Sequence, residues 1–161
     1  MSEGARGFSC EPDPENPGWH RWRLLDETRY NEAVLGRMLV RREDEDSARC
    51  RIIPVRHLTN NGNNVHGAAT LGLIDVSLFA GMHMVRGVDA MGSATVDLSC
   101  QFIGSGDPEK PLDAVVQVLR ETRRLGFLRG LIVQGEGEDE SIVASFTGTV
   151  RKPSAPIASG R

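Results

Sequence analysis

The spacing of apolar and polar positions divides the chain into an unpatterned start, two extended runs, one apolar block and four further extended runs. Residues 1–18 hold three of the eight prolines and four acidic side chains, a composition that buries little apolar surface and reads as a mobile or loosely docked arm. Trp19, Trp22, Leu24 and Leu25 then bring apolar weight into residues 19–33, which read as a short capping helix or turn. From Ala33 two extended runs, VLGRMLVRRE and SARCRIIPV, flank the acidic turn Glu43-Asp44-Glu45-Asp46. In the second, small and apolar residues partly alternate with Arg49 and Arg51, as in a half-buried strand, so the pair is a hairpin candidate.

A polar loop, LTNNGNNVHG, follows; Asn and Gly are the residues best able to take left-handed backbone angles. It leads into AATLGLIDVSLFAGMHM, which is apolar on nearly every side, so a helix there is largely buried rather than amphipathic. The remainder holds four extended candidates, SATVDLSCQFI, LDAVVQVLRETRR, FLRGLIVQGEG and SIVASFTGTVRK, broken at GSGDPEKP, Leu125-Gly126 and GEGEDE. Short turns between consecutive strands imply antiparallel pairing. An antiparallel sheet of about five to six strands wrapped around one central buried helix gives the sheet a buried face and the helix cover all round. That α+β arrangement is the hot-dog fold. The domain is expected to span residues 34–152, leaving 153–161 as a C-terminal tail.

Composition narrows the function classes. With 161 residues, 39% hydrophobic and 25% charged, the chain suits one soluble domain. The net charge is -3 and the 19 basic residues are scattered, so the footprint of a nucleic-acid binder is missing. Cys10, Cys50 and Cys100 are odd in number and widely spaced, which argues against a disulfide framework and a Cys-based metal site. His20, His57, His66 and His83 show no metal-ligand spacing. The longest apolar stretch, Ala68 to Val85, is interrupted by Thr70, Asp75, Ser77 and His83, and the start of the chain shows no secretory signal. The expectation is a cytoplasmic protein with no metal, membrane or nucleic-acid partner.

Candidate chemistry gathers around the apolar block. A helix starting near His66 or Gly67 has first amides without intrahelical partners and a positive dipole end, suited to a carbonyl oxygen that gains negative charge. Gly67 lets a ligand approach the backbone closely. Asp75 lies eight residues on, about 12 Å along a helix, too far to share one site with Gly67 of its own chain. Its neighbours three and four away, Leu71, Gly72, Leu78 and Phe79, are apolar or small, so its charge must be paired, hydrogen-bonded or used. On these residues alone, a carboxylate bonded to a neighbouring strand or subunit remains the blander reading. A lone His at a helix start, such as His66, more often bonds a local backbone group than acts as a base.

The run from Asn60 through His66-Gly67-Ala68 to Asp75 resembles the N-x-x-G-x-x-H-G-G…D signature of hot-dog acyl-CoA thioesterases of the phenylacetate-degradation (PaaI-like) type. The element order from about Val34 to Lys152 is similar to that family too. The resemblance implies thioester hydrolysis, with the Gly67 amide as oxyanion donor, Asn60 as the assisting polar group, and Asp75 of the opposite subunit as base or nucleophile. Some family members orient the water with a Ser or Thr at the start of the strand after the helix, and Ser93 occupies the matching region. The chain departs from the signature at Asn63, where the family has Gly, and at Ala68, where it has a second Gly.

An acyl-CoA or aryl-CoA ester brings its own CoA, so no separate cofactor is implied. Its phosphates suit the planar donors of Arg123, Arg124 and Arg151, although a basic edge that discourages strand pairing explains the same residues. The split site implies a homodimer, with a homotetramer beyond it. The alternatives are a hot-dog enoyl- or hydroxyacyl-thioester hydratase or dehydratase, which pairs a His with an acid in one site, and a non-catalytic acyl-CoA-binding module.

Overall fold

A computed structural model describes residues 7–154. Its strands are β1 (Phe8–Pro12), β2 (His20–Leu24), β3 (Met38–Arg42), β4 (Ser47–Ile52), β5 (Ala94–Phe102), β6 (Leu112–Glu121), β7 (Leu125–Gln134) and β8 (Ser141–Arg151), with one long helix, α1 (Gly67–Arg86), between β4 and β5. All eight strands form one antiparallel sheet in the order β1-β2-β3-β4-β6-β7-β8-β5. The sheet curls around α1, and the architecture is the hot-dog arrangement.

Alternation sets the faces of the sheet. Leu112, Ala114, Val116 and Val118 of β6 are buried against the helix, while Val115 and Gln117 between them are only half-buried. The helix meets that face with Leu73, Ile74, Leu78 and Met82, all fully buried. Contact is close enough to require glycine: a Cβ on Gly148 would lie 2.5 Å from Leu78 Cδ1, and one on Gly81 2.8 Å from Val116 Cγ1. Helix α1 has the length and hydropathy of a membrane span, but 67% of that window is buried inside the sheet. It ends at Gly87, whose left-handed φ of 66° lets its N–H reach the His83 carbonyl.

The sheet exceeds the expected five to six strands because of the N-terminal segment. Residues 1–18, read as a loosely docked arm, contain β1, and residues 19–33, read as a cap, contain β2; together they form a hairpin that extends the sheet past β3. Trp22 is 3% exposed and Phe8 and Cys10 pack on the core. The only helical turn in the cap region is a five-residue π turn beginning at Asn31. Asp13 holds the hairpin loop: its Oδ1 accepts from the amides of Glu15 and Asn16, each at 3.0 Å, and from the Asn16 side chain at 2.9 Å, while Oδ2 pairs with Arg37. Strands five residues long between polar turns leave a composition that resembles a disordered arm. Residues 1–6 of that arm and 155–161 of the tail lie outside the described residues.

The last four strands are antiparallel, but not in chain order. β5 pairs with β8, and β6 with β4, because residues 103–111 carry the chain across the curled sheet. β5 is thereby an edge strand.

Candidate active site

The start of α1 is shaped by its preceding loop. Asn60 accepts from the amides of Gly62 and Asn64 through Oδ1, at 2.9 and 3.1 Å, and its own N–H bonds the Asn64 carbonyl. Asn63 takes a φ of 56°, so at the position where the signature has Gly this chain uses the side chain that best tolerates left-handed backbone. His66 is the N-cap. Its Nδ1 accepts from Ala68 N–H at 2.9 Å, and its carbonyl accepts from Ala69 and Thr70. That bond assigns the lone pair to Nδ1 and places any ring proton of the neutral imidazole on Nε2. Among the described residues, no acceptor meets the Gly67 N–H. Gly67 lines a pocket of about 270 Å³ with Asn60, Asn64 and Phe102, and the Phe102 ring is 3.3 Å from where a Gly67 Cβ would sit.

Asp75 belongs to a different pocket. Half-buried on α1, it lines a cavity of about 180 Å³ with Phe79, Ser93 and residues of the N-terminal hairpin, and no residue is common to this cavity and the Gly67 pocket. Within one chain the fold therefore keeps Asp75 and Gly67 apart, as their eight-residue spacing demands. Asp75 Oδ1 accepts from the Thr95 hydroxyl at 2.6 Å, which leaves Oδ2 without that constraint.

The strand-start hydroxyl that touches the carboxylate is thus Thr95, whereas Ser93 donates to the Asp89 carbonyl at 2.8 Å and contributes to the cavity wall. Ser93 stands just before the first residue of β5, and the packing of β5 against α1 brings Thr95, two residues on, to the carboxylate. Arg123 and Arg124, in the β6–β7 turn, and Arg151, at the end of β8, lie together: Arg151 pairs in register with Leu125 and with Ala94, next to Thr95. None of the three has a carboxylate partner among the described residues. Lys152 beside them is paired with Glu121.

The cysteines are poor nucleophiles. Burial, with Glu11 beside it, pushes the Cys10 thiol up to about 11, and burial also raises Cys50 and Cys100. Each therefore stays a thiol at neutral pH.

Residues 62–141, from the Asn-rich loop through α1 to the start of β8, match the Thioesterase superfamily. The chain belongs to that superfamily and is a thioester hydrolase. Among solved structures it is similar to zebrafish thioesterase superfamily member 2, at a TM-score of 0.64 and 18% identity over 75% of this chain and 85% of that one. It is also similar to the PaaI protein from the phenylacetic acid degradation operon of E. coli, at a TM-score of 0.65 and 19% identity over 80% of this chain and 88% of that one. At such identities the likeness is one of fold. No curated protein sequence matches the chain.

Proposed function

We propose that the chain is an acyl-CoA thioesterase of the PaaI-like type, working at a composite site in which Asp75 of one subunit faces Gly67 of the partner subunit. The observation that carries this reading is the placement of the two half-sites at opposite ends of one edge strand. Thr95, bonded to Asp75, stands near the start of β5, and Phe102, against Gly67, ends it. The free side of β5 is uncovered and mixed in character: Val96 and Phe102 are 57% and 53% exposed and Ile103 just beyond is 56% exposed, alternating with exposed Thr95, Asp97, Ser99 and Gln101. Such an edge calls for a partner. Antiparallel pairing of β5 with its own copy about a two-fold axis near Leu98 and Ser99 brings the Thr95 end of each strand opposite the Phe102 end of the other.

In that dimer the chemistry balances with the chain's own groups. Asp75 takes a proton from water as the water oxygen attacks the thioester carbon. The carbonyl electron pair moves onto oxygen, where the unpaired Gly67 N–H at the positive helix end stabilises it. Collapse restores the carbonyl, breaks the C–S bond and releases CoA as thiolate, and the proton held by Asp75 returns to the products. Direct attack by Asp75, through an anhydride that water then opens, uses the same two groups. Asn60 and the His66 cap hold the donor end in shape, Ser93 lines the cavity, and Arg123, Arg124 and Arg151 receive the CoA phosphates. Exposed Leu119, Phe127 and Leu131 on the outer sheet face support a further pairing of dimers into a homotetramer.

The test is thiol release from a panel of acyl- and aryl-CoA esters. We expect release by the native protein and a fall of at least about a hundredfold in Asp75→Asn, the usual scale for losing a general base. Silence on every ester, or undiminished release by the variant, overturns the reading.

A further inference from the structure

The cavity beside Asp75 is not built by the thioesterase core alone. Its walls come from α1 (Asp75, Phe79), from the loop after α1 (Ala90, Met91), and from the N-terminal hairpin, which supplies Phe8, Trp22 and Leu24. The hairpin face is aromatic and fixed: the rings of Phe8 and Trp22 lie 4.4 Å apart between centroids, and both rest on His83 at 5.6 Å. Asp75 is the single ionisable side chain in this otherwise largely apolar lining, with Ser93 and Asn31 as its polar company.

We infer that the N-terminal hairpin closes off the acyl-binding end of the site and restricts the enzyme to thioesters of compact apolar acids, carrying one ring or a short chain. The inference rests on the acyl-CoA thioesterase reading above. The volume of about 180 Å³ points to the size class: an apolar cavity of roughly 150 Å³ takes one benzene ring, and sites for larger ligands start near 300 Å³. On the hairpin side an acyl chain meets Phe8 of β1 and Trp22 of β2, and Trp22 is itself buried against the core. The polar end of the cavity is where Asp75 stands, so an acid whose apolar part fills the pocket leaves its thioester carbon at the carboxylate.

Two substitutions move the wall in opposite directions without removing Trp22 from the core. Leu24→Ala, at a half-buried position, deepens the cavity; Ala90→Leu, on the loop side, fills it. Relative kcat/KM is measured for butanoyl-, benzoyl- and dodecanoyl-CoA. In the native protein the two compact esters are expected to exceed dodecanoyl-CoA by at least about tenfold, the discrimination that a filled apolar pocket yields. Leu24→Ala narrows that ratio, and Ala90→Leu lowers benzoyl-CoA relative to butanoyl-CoA. A native preference for dodecanoyl-CoA, or variants that change all three esters by one common factor, overturns the inference while leaving hydrolysis by Asp75 intact. If no ester is turned over, calorimetric affinities of the native protein and Leu24→Ala for the same three esters give the same comparison without chemistry: tighter binding of the compact esters, relaxed in Leu24→Ala, upholds the pocket, and equal affinities remove it.

Discussion

The Thr95 hydroxyl donates to Oδ1 of Asp75 across 2.6 Å and so holds the carboxylate in one orientation. A bond from a hydroxyl to a charged acceptor is among the stronger side-chain bonds when it is shielded from water, and at this solvent-exposed position its net worth is smaller. Thr95→Val keeps the shape and removes the donor. We expect kcat to fall by about tenfold or more with KM little changed, and Thr95→Ser to restore most of it. Steady-state kinetics with a parallel melting curve decide the matter: a variant that melts earlier but turns over normally makes Thr95 a structural residue only. Asn63 and His66 show the same scale from the other side of the site. One supplies a left-handed turn and the other a helix cap, and together they leave the Gly67 N–H, among the described residues, as the amide of the first turn without a partner.

At the scale of elements, the β1–β2 hairpin matters most, since it lies outside the residues that match the superfamily and yet forms one wall of the cavity. Its loop depends on Asp13. The Asn16 side chain, ahead of Arg37, holds the Asp13 carboxyl below its ordinary range. A carboxyl depressed by folding stabilises the fold fully above its unfolded value, near 3.9, and loses that contribution as the pH falls through the lower folded value. Hydrogen exchange of the Glu15 and Asn16 amides should therefore show protection that holds at neutral pH and fails in acid. In Asp13→Ala it should be weak throughout. Protection in Asp13→Ala equal to the native protein would remove Asp13 as the anchor of the loop.

For the whole molecule, the proposed site takes Asp75 from one chain and Gly67 from its partner, so activity is expected to be a property of the pair of chains. Asp75→Asn and Gly67→Val are each expected to be inactive as homodimers. Mixed and allowed to exchange, they form dimers in which one of two sites has both groups intact, so about a quarter of native activity should return. Failure of that recovery, with both variants folded and dimeric by light scattering, counts against the shared site. Val96→Lys, which places a charge on the uncovered edge of β5, should yield monomers and abolish thiol release together; an active monomer would show that one chain suffices.

Periodicity in the chain determined the strand runs from β3 onward, the fully apolar α1 and the wrap of sheet around helix, because each of those segments carries its burial in its own alternation. Helix geometry also required Asp75 and Gly67 of one chain to stand apart, since eight residues of helix separate them, while their candidate roles came from the resemblance of the Asn60–Asp75 run to a family signature. Tertiary structure decided what depends on neighbours distant in sequence. Pairing placed β5 beside β8 and made it an edge. Packing on α1 chose Thr95 over Ser93 as the partner of Asp75, a difference of two residues that local sequence does not settle. The core claimed Phe8 and Trp22, which turned a stretch with the composition of a loose arm into a hairpin, because five-residue strands gain their stability from the sheet they join and not from their own pattern.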